Sequence, residues 1–195
     1  MISGIVLAGG RSRRMGRAKA LLDADGRTFL ERALDALRIG GCGELVVVLN
    51  SEDPIIDDIV ARAGASSTPG AGPGTEQIES LRAGLRSLSR SAEAALALPV
   101  DHPMVKSGTV AALIAAFRAN AAPVVRPTHR GRGGHPVLFS AEVFDELLSG
   151  ELAEGARSVV RGSAERLVNV EVEDRGVVVD IDTPSEYEKH FGESP

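Results

Sequence analysis

Short runs of β-branched and small apolar residues alternate with helix-period patterns along almost the whole chain, and this alternation restricts the fold more than any other feature. Ile2 to Ala8, Leu45 to Leu49, Ala94 to Val100 and Val124 to Arg126 read as strands. They lack a regular polar face, as expected where helices cover both sides of a sheet. Further strands are expected at Pro136 to Phe139, Leu167 to Val172 and Val177 to Ile181. Thr28 and Glu31 form a capping-box pattern that opens a helix with Leu30, Ala33, Leu34 and Leu37 on one face, closing near Gly40 and Gly41. Asp53 and Pro54 read as the N-cap and first residue of a second helix, which carries Ile56, Ile59, Val60 and Ala63 and ends at Gly64. Helices are also expected over Ile78 to Leu88 and, with Ser107 as cap, over Thr109 to Asn120; Thr183, Pro184 and Glu186 open a last one. Ala65 to Thr75 has the composition of a long exposed loop. The pattern is that of an α/β fold with a mostly parallel central sheet flanked by helices. The 195 residues show no internal repeat and no domain boundary, so residues 1–195 form a single domain, and 43% hydrophobic content supplies its core.

The stretch LAGGRSRRMGRAK, from Leu7 to Lys19, joins the first strand to a glycine-rich turn. Gly9 and Gly10 let backbone N–H groups come close to a ligand, which suits the oxygens of a triphosphate. Arg11, Arg13, Arg14 and Lys19 concentrate positive charge in a chain whose formal net charge is -5, and call for an anionic partner. A P-loop is excluded because Arg17 and Ala18 separate Gly16 from Lys19, and a dinucleotide fingerprint because the spacing is not G-x-G-x-x-G. Without those motifs the turn has a bland reading as well, a solvated basic face.

Composition narrows the partner. There is no Trp and one Tyr, so the aromatic platforms of single-strand binders are missing and nucleic acid is a poor candidate. The single cysteine, Cys42, permits no internal disulfide and gives no zinc spacing, which favours a reducing, cytoplasmic location. The opening MISGIVLAGG has neither a basic leader nor an apolar run of signal length, and no segment has the apolar length of a membrane span.

Ligands of open α/β sheets sit at the carboxyl ends of the strands, so polar residues that interrupt the chain there are functional candidates. Asp101 follows a buried-looking strand in LALPVDHP. Asp180 and Asp182 alternate in VVVDIDTP, which on a strand end places them on the same side. Convergence of Asp101 and Asp182 on the glycine loop would make a Mg²⁺–triphosphate site, because Mg²⁺ takes a few carboxylates together with phosphate and water. Each carboxylate also reads as a plain cap. No Ser/His/Asp or Cys/His set assembles, so nucleophilic catalysis is not indicated. The basic loop RPTHRGRGGHP, from Arg126 to Pro136, has the flexibility and charge to close on a second anionic substrate.

Together these motifs resemble one family, the nucleotidyltransferases of molybdenum-cofactor maturation, and within it the molybdopterin cytidylyltransferase-like branch. LAGGRSRRMGRAK is similar to the family's signature loop, SLRAGL (Ser80 to Leu85) to its central helix, and PVDHPMV to its metal-binding strand end. GGHPVLF (Gly133 to Phe139) and DIDTPSEY (Asp180 to Tyr187) complete the order. The resemblance implies a Rossmann-like nucleotide-diphospho-sugar transferase fold and Mg²⁺-dependent transfer of a nucleoside monophosphate from CTP or GTP to the phosphate of molybdopterin, with release of pyrophosphate. It implies that Leu7, Ala8, Gly9, Gly10 and Arg11 border the nucleotide with Ser80, that Arg14 and Lys19 hold the triphosphate, and that Asp101 and Asp182 bind Mg²⁺. Gly134 and His135 fall on the acceptor side. The first loop combines a basic half like the cytidylyltransferase branch with an Ala8-Gly9-Gly10 half like the guanylyltransferase branch, which leaves the base open. The same core would serve another phosphorylated acceptor, such as a sugar or polyol phosphate, or a non-catalytic module that delivers cofactor to a molybdoenzyme or chaperone partner.

Overall fold

A computed structural model of the protein describes residues 1–9, 18–72, 77–149, 152, 154–161 and 164–192. The first half runs β1 (Ile2–Leu7), the hairpin β2 (Asp23–Ala24) and β3 (Arg27–Thr28), α1 (Phe29–Ile39), β4 (Glu44–Leu49), α2 (Pro54–Arg62), β5 (Ser66–Pro69), α3 (Gln77–Ser87), β6 (Ala94–Pro99) and α4 (Ser107–Asn120). The second half runs β7 (Val124–His129), β8 (Arg132–Gly133), β9 (Val137–Ser140), α5 (Phe144–Ser149), α6 (Ala156–Arg161), β10 (Leu167–Glu171) and α7 (Pro184–Phe191). Among the described residues the main sheet has the order β10-β7-β9-β6-β1-β4-β5, with β8 paired to β7. Every adjacent pair along β6-β1-β4-β5 is parallel, as is β10 with β7, while β9 runs antiparallel between β6 and β7. The expected α/β architecture with a mostly parallel sheet is therefore present.

The apolar strands follow from burial on two faces. Ile5, Val48, Ala95, Val124 and Phe139 pack under Leu81 and Leu85 of α3, Leu147 of α5 and Val159 of α6. Their neighbours Val6, Val47, Leu96, Val125 and Leu138 point the other way, into a second cluster with Leu34 of α1, Ile59 of α2, Leu113 of α4 and Tyr187 of α7. The period of two sends successive residues to opposite layers, so a polar residue would be buried at either position.

Local capping follows the sequence pattern. The Thr28 hydroxyl accepts from the Glu31 N–H, and the Glu31 carboxylate accepts from the Thr28 N–H at 2.8 Å. Asp53 caps α2 ahead of Pro54, and Thr183 with Glu186 repeats the reciprocal box at α7. Three expectations are corrected. Ser66–Pro69, inside the stretch read as a loop, is an edge strand against β4. Val177 to Ile181 is no strand: Arg175–Val178 is a 3₁₀ turn and the chain after it joins no sheet among the described residues, so Asp180 and Asp182 do not share a strand face. Ser107 is the first helical residue of α4 rather than its cap, and the capping acceptor is Asp174.

Cys42 is buried, and desolvation pushes its thiol up to about 12. The native protein is expected to resist iodoacetamide and to be labelled only on unfolding, since the thiolate is the reactive form. Mass spectrometry before and after denaturation checks this. Among the described residues no helix is long and apolar enough to cross a membrane.

Candidate active site

β1 lies between β4 and β6, so the chain order reverses across it, and ligands of open α/β sheets bind outside such a reversal. The carboxyl ends of these three strands deliver Ala8 and Gly9, Asn50, and Asp101 to one cavity of about 350 Å³. Leu7, Lys19, Ser80 and Asp182 line it too. The structure thus brings together the candidates Leu7, Ala8, Gly9, Lys19, Ser80, Asp101 and Asp182. Gly10, Arg11 and Arg14 lie outside the described residues.

Gly9 is held by Asn50, whose Nδ2 donates to the Gly9 carbonyl and whose Oδ1 accepts from Gly72 N–H at 3.3 Å. A β-carbon at Gly9 would meet Asn50 Nδ2 at 2.7 Å, so a larger residue there would displace the Asn50 amide from this bond. Asp182 is brought to Asp101 through the backbone: Ile181 N–H donates to the Asp101 carbonyl at 2.9 Å, and Asp182 N–H to Glu186 Oε2 at 2.9 Å. The N–H groups gathered by Glu186, that of Asp182 first, hold its carboxyl below the usual range. Lys19 spans the two aspartates, donating to Asp182 Oδ1 with its Nζ 3.5 Å from Asp101 Oδ2.

Asp101 Oδ1 is sealed from solvent and accepts no hydrogen bond from the described residues, and His102 Nε2 stands 3.9 Å away. An unpartnered buried carboxylate oxygen is costly unless something binds it. Two carboxylates offering only oxygen fit a hard divalent cation that completes its shell with phosphate and water. Among the described residues no cluster of three or more His, Cys, Asp or Glu forms, so such a cation would be shared with a ligand rather than caged by protein.

A second cavity, of about 430 Å³, shares Leu7 and Gln77 with the first. Ile78, Leu81, Val137 and Phe139 give it an apolar wall, and Arg126, Gly134, His135 and Arg157 supply its polar groups. Gly134 N–H donates to the Pro127 carbonyl and His135 N–H to the Val177 carbonyl, which ties this strand to the 3₁₀ turn. Gly134 and His135 therefore line the neighbouring cavity and not the one holding the aspartates.

The chain matches the MobA-like NTP transferase domain over residues 4–170. It belongs to that family. The molybdenum-cofactor nucleotidyltransferase resemblance and the Rossmann-like fold are thereby borne out. A protein of Opitutus terrae named as a probable molybdenum cofactor guanylyltransferase is 29% identical, over 96% of this chain and 94% of its own. The crystal structure of Rv0371c from Mycobacterium tuberculosis in complex with manganese superposes with a TM-score of 0.80 at 25% identity, covering 98% of each chain. A nicotine blue oxidoreductase of Paenarthrobacter nicotinovorans is 45% identical, but over 26% of this chain and 25% of its own.

In this MobA-like NTP transferase, His135 packs its ring on His102 with the ring centres 4.8 Å apart, and its buried Nδ1 has no hydrogen-bond partner among the described residues. Desolvation, followed by repulsion from His102 and Arg157, lowers its pKa from 6.5 to about 3. The unfolded chain therefore holds the extra proton throughout that window, and stability falls as pH drops from 6.5 toward 3. The slope is at most about 1.4 kcal/mol per pH unit. Denaturant titrations at pH 7, 6 and 5 are expected to show this loss in wild type and a flatter profile in His135→Gln; equal slopes would assign the acid sensitivity elsewhere.

Sequence reading missed Asn50, Gln77, Arg126 and Arg157 as lining residues. Asn50 carried a usable signal, as the first polar residue after LVVVL at a strand's carboxyl end. Arg126 was seen only as the start of a basic loop, and Arg157 stands in a short helix with no motif around it.

Proposed function

We propose that this MobA-like NTP transferase moves a nucleoside monophosphate from GTP or CTP to the phosphate of molybdopterin and releases pyrophosphate, using Mg²⁺ or Mn²⁺. The observation that carries this reading is the Lys19–Asp101–Asp182 cluster in a cavity that adjoins a second, ligand-sized one. The adjoining cavities suit a donor and an acceptor that react with each other. An acceptor phosphate oxygen attacks the α-phosphorus in line, the bond to the β-phosphate bridging oxygen breaks, and pyrophosphate leaves with that electron pair. The protein contributes positioning and charge neutralisation. Ala8, Gly9 and Ser80 border the nucleoside, and Lys19, with Arg14, neutralises triphosphate oxygens. Asp101 and Asp182 would hold the cation, which supplies Lewis-acid polarisation of the phosphates when bound. Rv0371c, which shares the fold, is described in complex with manganese, and this supports a divalent cation but assigns it no ligands. Delivery of the product to a molybdoenzyme or chaperone, in the cytoplasm, goes with this function.

The base is the finer part of the reading. Relatives named as guanylyltransferases and the Ala8-Gly9 turn support GTP, whereas the arginine-rich half of the loop supports CTP. Pyrophosphate release is measured with each nucleotide, molybdopterin and either cation. Turnover with one pair is expected, and none with any pair by a folded protein overturns the proposal. Release with a sugar or polyol phosphate instead of molybdopterin would reassign the acceptor.

A further inference from the structure

The geometry points to Arg126 as a preset anion anchor in the second cavity, held by Asn169, for an acceptor that combines an anionic group with a flat heteroaromatic body. This rests on the acceptor role proposed above for that cavity. β7 and β10 run parallel with Arg126 opposite Asn169. Asn169 Oδ1 accepts from both Arg126 Nε at 3.1 Å and Nη2 at 2.9 Å, which fixes the plane of the guanidinium. β8 closes over that plane: a β-carbon at Gly133 would lie 2.5 Å from Arg126 Cζ and 2.7 Å from Nη1. The long side chain, ordinarily rich in rotamers, is ordered before any ligand arrives, which lowers the entropy cost of binding.

The amide of Asn169 orients the fork without cancelling its charge, as a carboxylate in its place would. The carboxylate across the same strand pair, Glu171, is spent on the Thr128 hydroxyl and the Arg130 N–H, each at 2.6 Å. The described cavity lining includes one acidic residue, Glu154, against Arg126 and Arg157. The positive balance selects an anion, and the wall of Leu7, Ile78, Leu81, Val137 and Phe139 accommodates a flat ring beside it.

Asn169→Asp separates anchoring from packing. The isosteric carboxylate keeps both N–H bonds but neutralises the guanidinium. Binding of pterin-6-carboxylate and of uncharged 6-methylpterin to the full chain is followed by pterin fluorescence. Pterin-6-carboxylate is expected to bind roughly tenfold more weakly to Asn169→Asp, as befits a charge introduced a few ångströms away, while 6-methylpterin changes less than about twofold on this charge argument. Arg126→Gln is expected to show the same contrast. Equal effects on both probes, unchanged binding of pterin-6-carboxylate, or no saturable binding of it to wild type overturns the anchor. Pyrophosphate release on the same samples keeps the outcomes apart: release with a failed pterin contrast removes the anchor alone, and absence of release removes the functional reading.

Discussion

Replacing Asp101 by alanine is expected to lower pyrophosphate release by about a thousandfold, in line with the loss of a preorganised electrostatic group from a reaction that relies on charge neutralisation. Asp101 and Asp182 are the carboxylates among the described lining residues of the first cavity, and of the two Asp101 alone presents a buried oxygen with no partner among the described residues. Asp182, with a side chain 46% exposed against 28% for Asp101, is the more solvated of the two, so Asp182→Ala is expected to cost less activity. Folding should survive the Asp101 change. The contact that holds the segments together is the Ile181 N–H bond to the Asp101 backbone carbonyl, which alanine keeps. The lost Lys19 contact spans 3.5 Å in a partly solvated setting, worth under about 1 kcal/mol. A parallel fall in activity and stability, or retention of more than a tenth of wild-type turnover, would contradict this account.

Features of the fold that depend on neighbours in sequence were legible, and features that depend on distant pairing were not. The Thr28–Glu31 and Thr183–Glu186 boxes close within one helical turn, so four residues contain the whole interaction. Ser66–Pro69 carries no strand signal because its side chains are mostly exposed, and it is a strand only through its parallel register with Val46 to Leu49. Val177 to Ile181 carries a strong strand signal for the opposite reason. Val177 and Ile181 are fully buried, Val177 in a turn that lies against β7 and Ile181 in the core cluster that holds Tyr187 of α7, rather than in a ladder, and apolar composition reports burial without saying how it is achieved. At the candidate site, Asp101 was legible from the end of an unmistakable strand. The placement of Asp182 was reached by a wrong local route, since the structure delivers it through backbone bonds to Asp101 and Glu186 rather than by strand alternation. The Asn169–Arg126 pair lies 43 residues apart in sequence and needs the β7–β10 register, which no local pattern records.

Asp174→Ala is expected to produce the largest loss of stability, about 3–5 kcal/mol, and to loosen cation binding as well. This buried carboxylate accepts from Lys106 N–H at 2.8 Å, the Thr109 hydroxyl at 2.7 Å and Gly176 N–H at 3.0 Å. It therefore caps α4, which has no capping side chain of its own, from a loop 68 residues further on. Alanine would strand three donors in a place water reaches poorly. The bonds also set geometry. They pin the start of the 174–182 segment to the chain that follows Asp101, and Gly176 packs so closely there that a β-carbon would come within 2.3 Å of the Met104 carbonyl oxygen. Five residues after Gly176, Ile181 makes its bond to Asp101, so the segment is fixed at both ends and Asp182 is presented from its far end. Asp174→Asn, which retains one acceptor oxygen, is expected to cost about 1–2 kcal/mol and to keep enough folded protein for kinetics. Its manganese activation constant is expected to rise severalfold at unchanged nucleotide KM if the clamp positions Asp182. A destabilised Asp174→Asn with a wild-type manganese constant would confine Asp174 to capping the helix, because loss of folded protein lowers the amount of active enzyme without changing the affinity of what remains.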